Sequence, residues 1–164
     1  MQVEKAMEVL VFLLPPYVAN ATPVVTSKFY APGHPIDMGK TFVDGRRLLG
    51  DNKTVEGFVS GVIAGSAVGA LLSAYGVHSL YPSIVLSVGA MMGDCLGSFI
   101  KRRFGIEPGE RALLLDEEPF IVVALAFYSV LVRPLDTHTW LLSIILTFIF
   151  HIVTNKIAEI IHLK

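Results

Sequence analysis

The sequence predicts an all-α integral membrane protein of five transmembrane helices, folded as a single polytopic domain over residues 1–164. Three observations carry this. Hydrophobic residues make up 53% of the chain and the mean hydropathy is +0.63, too apolar for an ordinary soluble domain. No Asp, Glu, Lys or Arg occurs between Gly57 and Gly93; a bilayer core takes only about 20 helical residues, so that run holds two spans. Glycine recurs every fourth residue at Gly57, Gly61, Gly65 and Gly69 and again at Gly89, Gly93 and Gly97, a pattern that lets membrane helices approach closely.

The first span is expected from about Val9 to Thr26. Small residues at Val18-Ala19-Asn20-Ala21 imitate a signal-peptide cleavage site, but no positive excess precedes them and Pro15-Pro16 interrupts the apolar run. A retained, kinked helix is the expectation, with Asn20 turned either into a polar cavity or onto a neighbouring helix. Residues 27–54 form a long Gly-, Pro- and Asp-rich loop that keeps Phe29, Tyr30, Phe42, Leu48 and Leu49, and is therefore expected to fold back on the helices. The second span runs from Thr54 to about Tyr75 and the third from about Leu80 to Arg103, with a turn around Gly76 and Pro82. Their glycine stripes are expected to pack on each other, although either could serve a homodimer. A second loop, with Pro108-Gly109 and the acids Asp116, Glu117 and Glu118, leads to a short fourth span, Pro119 to Val132. Trp140 marks the interface of the fifth, which ends near Ile161 and carries His151, Thr154 and Asn155 close together.

With five spans, every Lys and Arg except Lys5 and Arg133 falls on one side of the bilayer. The positive-inside bias puts the large loops and the C-terminus in the cytoplasm and the N-terminus outside. The lone Cys95 excludes an internal disulfide, and the five histidines show no metal-ligand spacing.

The chemistry gathers on that basic side. Asp94, Ser98 and Lys101 stand at i, i+4 and i+7, one helix face, followed by Arg102 and Arg103. Asp94 reads either as a metal-bearing carboxylate or as an interfacial acid paired with a basic neighbour. The stretch from Gly45 to Thr54 resembles a P-loop but has two residues too many before Lys53-Thr54 and no strand ahead of it, which rejects that motif. Arg46, Arg47 and Lys53, with Thr54 opening a helix, remain as a cluster suited to phosphate or as ordinary juxtamembrane charge.

The strings PPYVANATPVV, GHPIDMG, DGRRLLGDNKTVEG, GDCLGSFIKRRFGIEPG and LLLDEEPF together resemble the archaeal CDP-archaeol synthase family, relatives of the CDP-diacylglycerol synthases, over nearly the whole chain. The resemblance implies a cell-membrane cytidylyltransferase using CTP and an isoprenoid glycerol phosphate lipid within the bilayer, with no nucleic acid partner. It implies Mg²⁺ on Asp94 and Asp116, a basic pair at Lys101 and Arg102, and substrate contacts from Asp51, Asn52, Lys53 and Thr54; Asn20, Arg46 and Ser98 are expected to join them on their positions alone. The wider family has a further Asp three residues after the one matched by Asp116; this chain has Pro119 there, leaving Glu117 or Glu118 as the nearby acids. Two other classes share part of the pattern. A CDP-alcohol phosphotransferase begins with a similar Asp-Gly before Arg, as at Asp44-Gly45-Arg46, but needs further acids where this chain has only Glu56 between Asp51 and Asp94. A transporter would show internal repeats and midplane polar groups, whereas the charges here crowd one face.

Overall fold

The computed structural model describes residues 2–29, 33–107, 112 and 118–160, apart from the side chains at 2–3, 154–155 and 157–160. The described residues form a bundle of five helices, α1 (Gln2–Thr26), α2 (Val55–Ala74), α3 (Leu80–Arg103), α4 (Pro119–Leu131) and α5 (Thr137–Ile160). Among them α1, α2 and α3 are long and apolar enough to cross a bilayer, while α4 and the Thr137–Val153 part of α5 are shorter apolar helices. The five elements fall where the hydropathy placed them, except that α1 begins seven residues before Val9. Residues such as Glu4, Lys5, Ala6 and Met7 are strong helix formers and extend the helix beyond its apolar part.

Helix ends follow local chemistry. Thr54 caps α2, its Oγ1 accepting from the Gly57 amide at 3.1 Å. At the other end Gly76 takes a positive φ, and the amides of Gly76 and Val77 bond back to the Ser73 and Leu72 carbonyls. The α3 terminus repeats this with Gly105 and Ile106 on the Arg102 and Lys101 carbonyls.

Helix α3 is the centre, packed against α1, α2 and α4, and α5 lies along α1 and α4. The core is formed by Leu13 and Ala19 of α1, Leu86, Ala90 and Met91 of α3, and Phe120, Ile121, Ala124 and Leu125 of α4. Helices α2 and α3 do pack together, but not glycine stripe on glycine stripe. Gly61, Gly65 and Gly69 of α2 lie over Met91, Ser87 and Ser83 of α3, whereas Gly89 and Gly93 face Ala124, Phe127, Pro119 and Phe120 of α4. The reason is helical geometry. Ser83, Ser87 and Met91 share one face, and Gly89 and Gly93, two residues out of step, point the other way. These glycines are thus occupied by the chain's own helices.

The α2 stripe also admits α1. Pro23 has no amide proton to give the Ala19 carbonyl, and that carbonyl lies where a side chain on Gly61 would have to go, 2.7 Å from the Cβ position. At Gly65 the Pro15 carbonyl would be 2.6 Å from a Cβ. Because backbone cannot move aside cheaply, Gly65→Ala is expected to cost about 1–3 kcal/mol. The check is a lowered midpoint of thermal unfolding in detergent; an unchanged midpoint would show that the helices separate freely.

Candidate functional site

The loop between α1 and α2 is built around one buried carboxylate. Asp37 accepts from Arg47 Nη2 at 2.7 Å and from the amides of Leu49, Gly50 and Gly39 at 3.0, 3.0 and 3.1 Å. Burial opposes its ionisation, but the Arg47 guanidinium and the three amides outweigh burial and hold the carboxyl well below the usual range. A depressed carboxyl stabilises the fold fully above its unfolded value of about 3.9, and the contribution is lost as pH falls through the lower folded value. Asp37→Ala is expected to loosen the loop by about 1.5–3 kcal/mol. Tryptic cleavage after Lys40 should accelerate accordingly at pH 8; wild-type cleavage rates would contradict this.

The loop is fastened to the end of α3. Arg46 Nη1 donates to the Arg103 carbonyl at 2.8 Å and the Arg102 carbonyl at 3.3 Å, covering the last acceptors of the helix. In return Arg103 donates to Asp44 at 2.9 Å, and its guanidinium lies 4.9 and 4.8 Å from the ring centres of Phe42 and Phe99. Arg46 Nη1 is therefore committed to the helix end. Arg47 is likewise committed, to Asp37 and to Asp51 at 2.8 Å.

This fastening carries Asp51-Asn52-Lys53-Thr54 over α3. Lys53 Nζ meets both oxygens of Asp94, at 2.8 and 2.7 Å, with each side chain about 23% exposed. Around the pair opens a cavity of about 940 Å³ whose wall includes Asn20 of α1, Asp51, Asn52, Lys53 and Thr54 of the loop, and Asp94, Ser98 and Lys101 of α3. Asn20 thus takes the polar-cavity alternative. Arg102 does not line it; it is buried, and its Nε and Nη1 find no hydrogen-bond partner among the described residues. Asp116 and Glu117 lie outside the described residues, as do the side chains of Thr154 and Asn155. Glu118 precedes α4, whose first residue, Pro119, lies against Gly93, next to Asp94.

Glu56 and His151 also line the cavity, the first not singled out in the sequence, the second noted there beside Thr154 and Asn155. Glu56, in the first turn of α2, accepts from the His34 amide at 2.9 Å and pairs with the His34 imidazole, tying the start of the loop to the helix. The hydrogen bond that the His34 ring donates to the Glu56 carboxylate, together with that charge, raises the His34 pKa above its ordinary value. His151 reaches the wall from α5 with its ring 6.0 Å from that of Phe120. Its position a turn from Thr154-Asn155 was the available signal. Of the amides opening α2, that of Val55 is engaged with the His34 carbonyl and that of Gly57 with Thr54, so it is chiefly the cations that this end offers an anion.

No group of three or more His, Cys, Asp or Glu side chains suited to a metal ion occurs among the described residues. The donors present are nevertheless of the right kind for magnesium. They are oxygens in a polar cavity, with Asp94 as the carboxylate, and magnesium takes one or two carboxylates with substrate phosphates and water completing its shell.

The CarS-like family model, described as CDP-archaeol synthase, matches residues 3–164. A CDP-archaeol synthase of Thermofilum pendens is 42% identical over 94% of this chain and 78% of its own length. One of Pyrobaculum islandicum is 43% identical over 96% of this chain and 98% of its own. A solved structure, described as an intramembrane enzyme for archaeal membrane lipids biosynthesis, superposes with a TM-score of 0.81 at 40% identity, covering 91% of this chain and 93% of that one.

Proposed function

The chain belongs to the CDP-archaeol synthase family, and from that membership we propose that it transfers CMP from CTP to 2,3-bis-(O-geranylgeranyl)-sn-glycerol 1-phosphate, releasing pyrophosphate. The observation that carries the reading is the cavity where Lys53, Asp94, Ser98 and Lys101 converge. Its volume of about 940 Å³ lies within the usual range for small-molecule sites. Its α1 wall includes the apolar Pro23 and Val24 beside Asn20 and Thr26, and Val24 is largely exposed, so a lipid phosphate could enter from the bilayer while nucleotide enters from water.

The lipid phosphate is already ionised at neutral pH, so attack on the α-phosphorus of CTP needs no strong base. The difficulty is bringing two anions together, and it is met by fixed positive charge. Lys53 supplies it from the loop and Lys101 from α3. Phosphates entering the cavity compete with Asp94 for the Lys53 ammonium, which is held on a loop that Asp37 and Arg46 keep in place. Asn52, Thr54 and Ser98 offer uncharged hydrogen-bonding groups for orientation. Magnesium, held by Asp94 with Asp116, would add charge neutralisation at the phosphates when bound. The five-span topology, with this end facing the cytoplasm of the cell membrane, supplies CTP on the correct side.

The test is direct. Purified protein incubated with labelled CTP, the lipid phosphate and Mg²⁺ should yield a labelled CDP-lipid and one pyrophosphate per turnover. No product, where a working synthase under the same conditions gives one, would overturn the proposal.

A further inference from the structure

The end of the bundle away from Asp94 carries a second cavity, about 630 Å³, between the first half of α1, the α2–α3 turn, the end of α4 and the α4–α5 link. Its floor is aromatic. Phe12 meets Tyr128 edge to face at 5.0 Å and lies 5.7 Å from the His78 ring, and Val9 is buried beside them. Its rim is charged by Arg133 and Glu8.

Arg133 is held at two points on one residue, its amide donating to the Tyr128 carbonyl and its Nε to the Tyr128 hydroxyl, both at 3.2 Å. Its terminal nitrogens Nη1 and Nη2 have no hydrogen-bond or ion-pair partner among the described residues, and neither has the Glu8 carboxylate. The other charged group of the rim is already used. Asp136 accepts from the Thr139 amide at 3.0 Å and the Thr139 hydroxyl at 2.7 Å, capping α5. The His78 Nδ1 is engaged with the Ser79 carbonyl at 3.1 Å. A cation and an anion that share a cavity without pairing each other suit a ligand carrying both signs. On the rim Met7 is an exposed apolar residue, at 56%, which marks that flank as facing lipid tails. Tyr81, whose hydroxyl donates to the Leu131 carbonyl at 3.4 Å, sets this level at the membrane interface, where arginine meets phosphate headgroups.

We propose that this cavity binds a zwitterionic phospholipid from the leaflet opposite the Asp94 end, its phosphate on Arg133, its ammonium at Glu8 and its chains along Met7. Native mass spectrometry of the detergent-solubilised full chain tests this with three probes: a diether lipid with a phosphoethanolamine head, the same lipid with a phosphoglycerol head, and free phosphoethanolamine. The phosphoethanolamine lipid should be retained best, and Arg133→Gln and Glu8→Gln should each weaken it by about tenfold, the loss of one charge-assisted contact. Glu8→Gln should leave the phosphoglycerol lipid unchanged, and free phosphoethanolamine should not compete at equal concentration. Equal retention of the two lipids, full retention in either variant, or effective competition by the free headgroup would overturn the assignment. Glu8 is exposed, so its variant keeps the fold and makes a loss of lipid interpretable.

Discussion

Replacing Asp94 by Asn is expected to lower turnover by about two to three orders of magnitude, the scale seen when one preorganised electrostatic group is removed from a reacting centre. The substitution keeps shape and removes charge. The amide would still fit beside Gly93 and the start of α4, so the helix contacts that hold α3 at the centre remain. What disappears is the partner of Lys53 and the carboxylate offered to magnesium. The Lys53 ammonium, only about 23% exposed, is left without its counter-charge, and a modest loss of stability, about 1–3 kcal/mol, should accompany the loss of activity. Undiminished turnover would remove Asp94 from the site, whatever happened to the melting point.

Exchanging the two charges separates stability from chemistry. Lys53→Asp and Asp94→Lys singly each place like charges together, and both should lower the unfolding midpoint and abolish activity. Combined, they rebuild an ion pair of opposite sense, and neighbours of this kind couple by about 0.5–3 kcal/mol. The double variant should therefore recover most of the midpoint and none of the turnover. A positive charge on α3 and a negative one on the loop repel phosphate from the loop side and leave no carboxylate on the helix. Recovery of activity along with stability would make the pair a strut between loop and helix and not part of the reacting centre.

The helices were legible because hydropathy, glycine spacing and end chemistry all act locally. The bounds expected for α3, Leu80 and Arg103, are those of the helix in space. Partnership was less legible. The recurrence of Gly89 and Gly93 shows that some backbone must approach closely, yet not whose, and the structure gives α4 where α2 was expected. The loop arginines were open between two readings for a similar reason. A cluster of cations near a helix start has the same sequence appearance whether it awaits phosphate or satisfies carbonyls, and Arg46 does the latter 56 and 57 residues away. Nor could the role of Asp37 be read from the interleaved acids, since its burial depends on the loop closing around it. The face shared by Asp94, Ser98 and Lys101, by contrast, needs only helical periodicity, and all three stand on the cavity wall. The contact of Lys53 with Asp94 spans 41 residues and two elements, which no local pattern encodes.

A structure of the protein with CTP and Mg²⁺ bound measures most directly what these residues do. The expected result is a triphosphate lying between Lys53 and Lys101 at the loop-covered end of α3, with Lys53 Nζ moved off Asp94 onto a phosphate oxygen. Nucleotide bound elsewhere, or nucleotide bound with the Lys53–Asp94 pair intact, would contradict it.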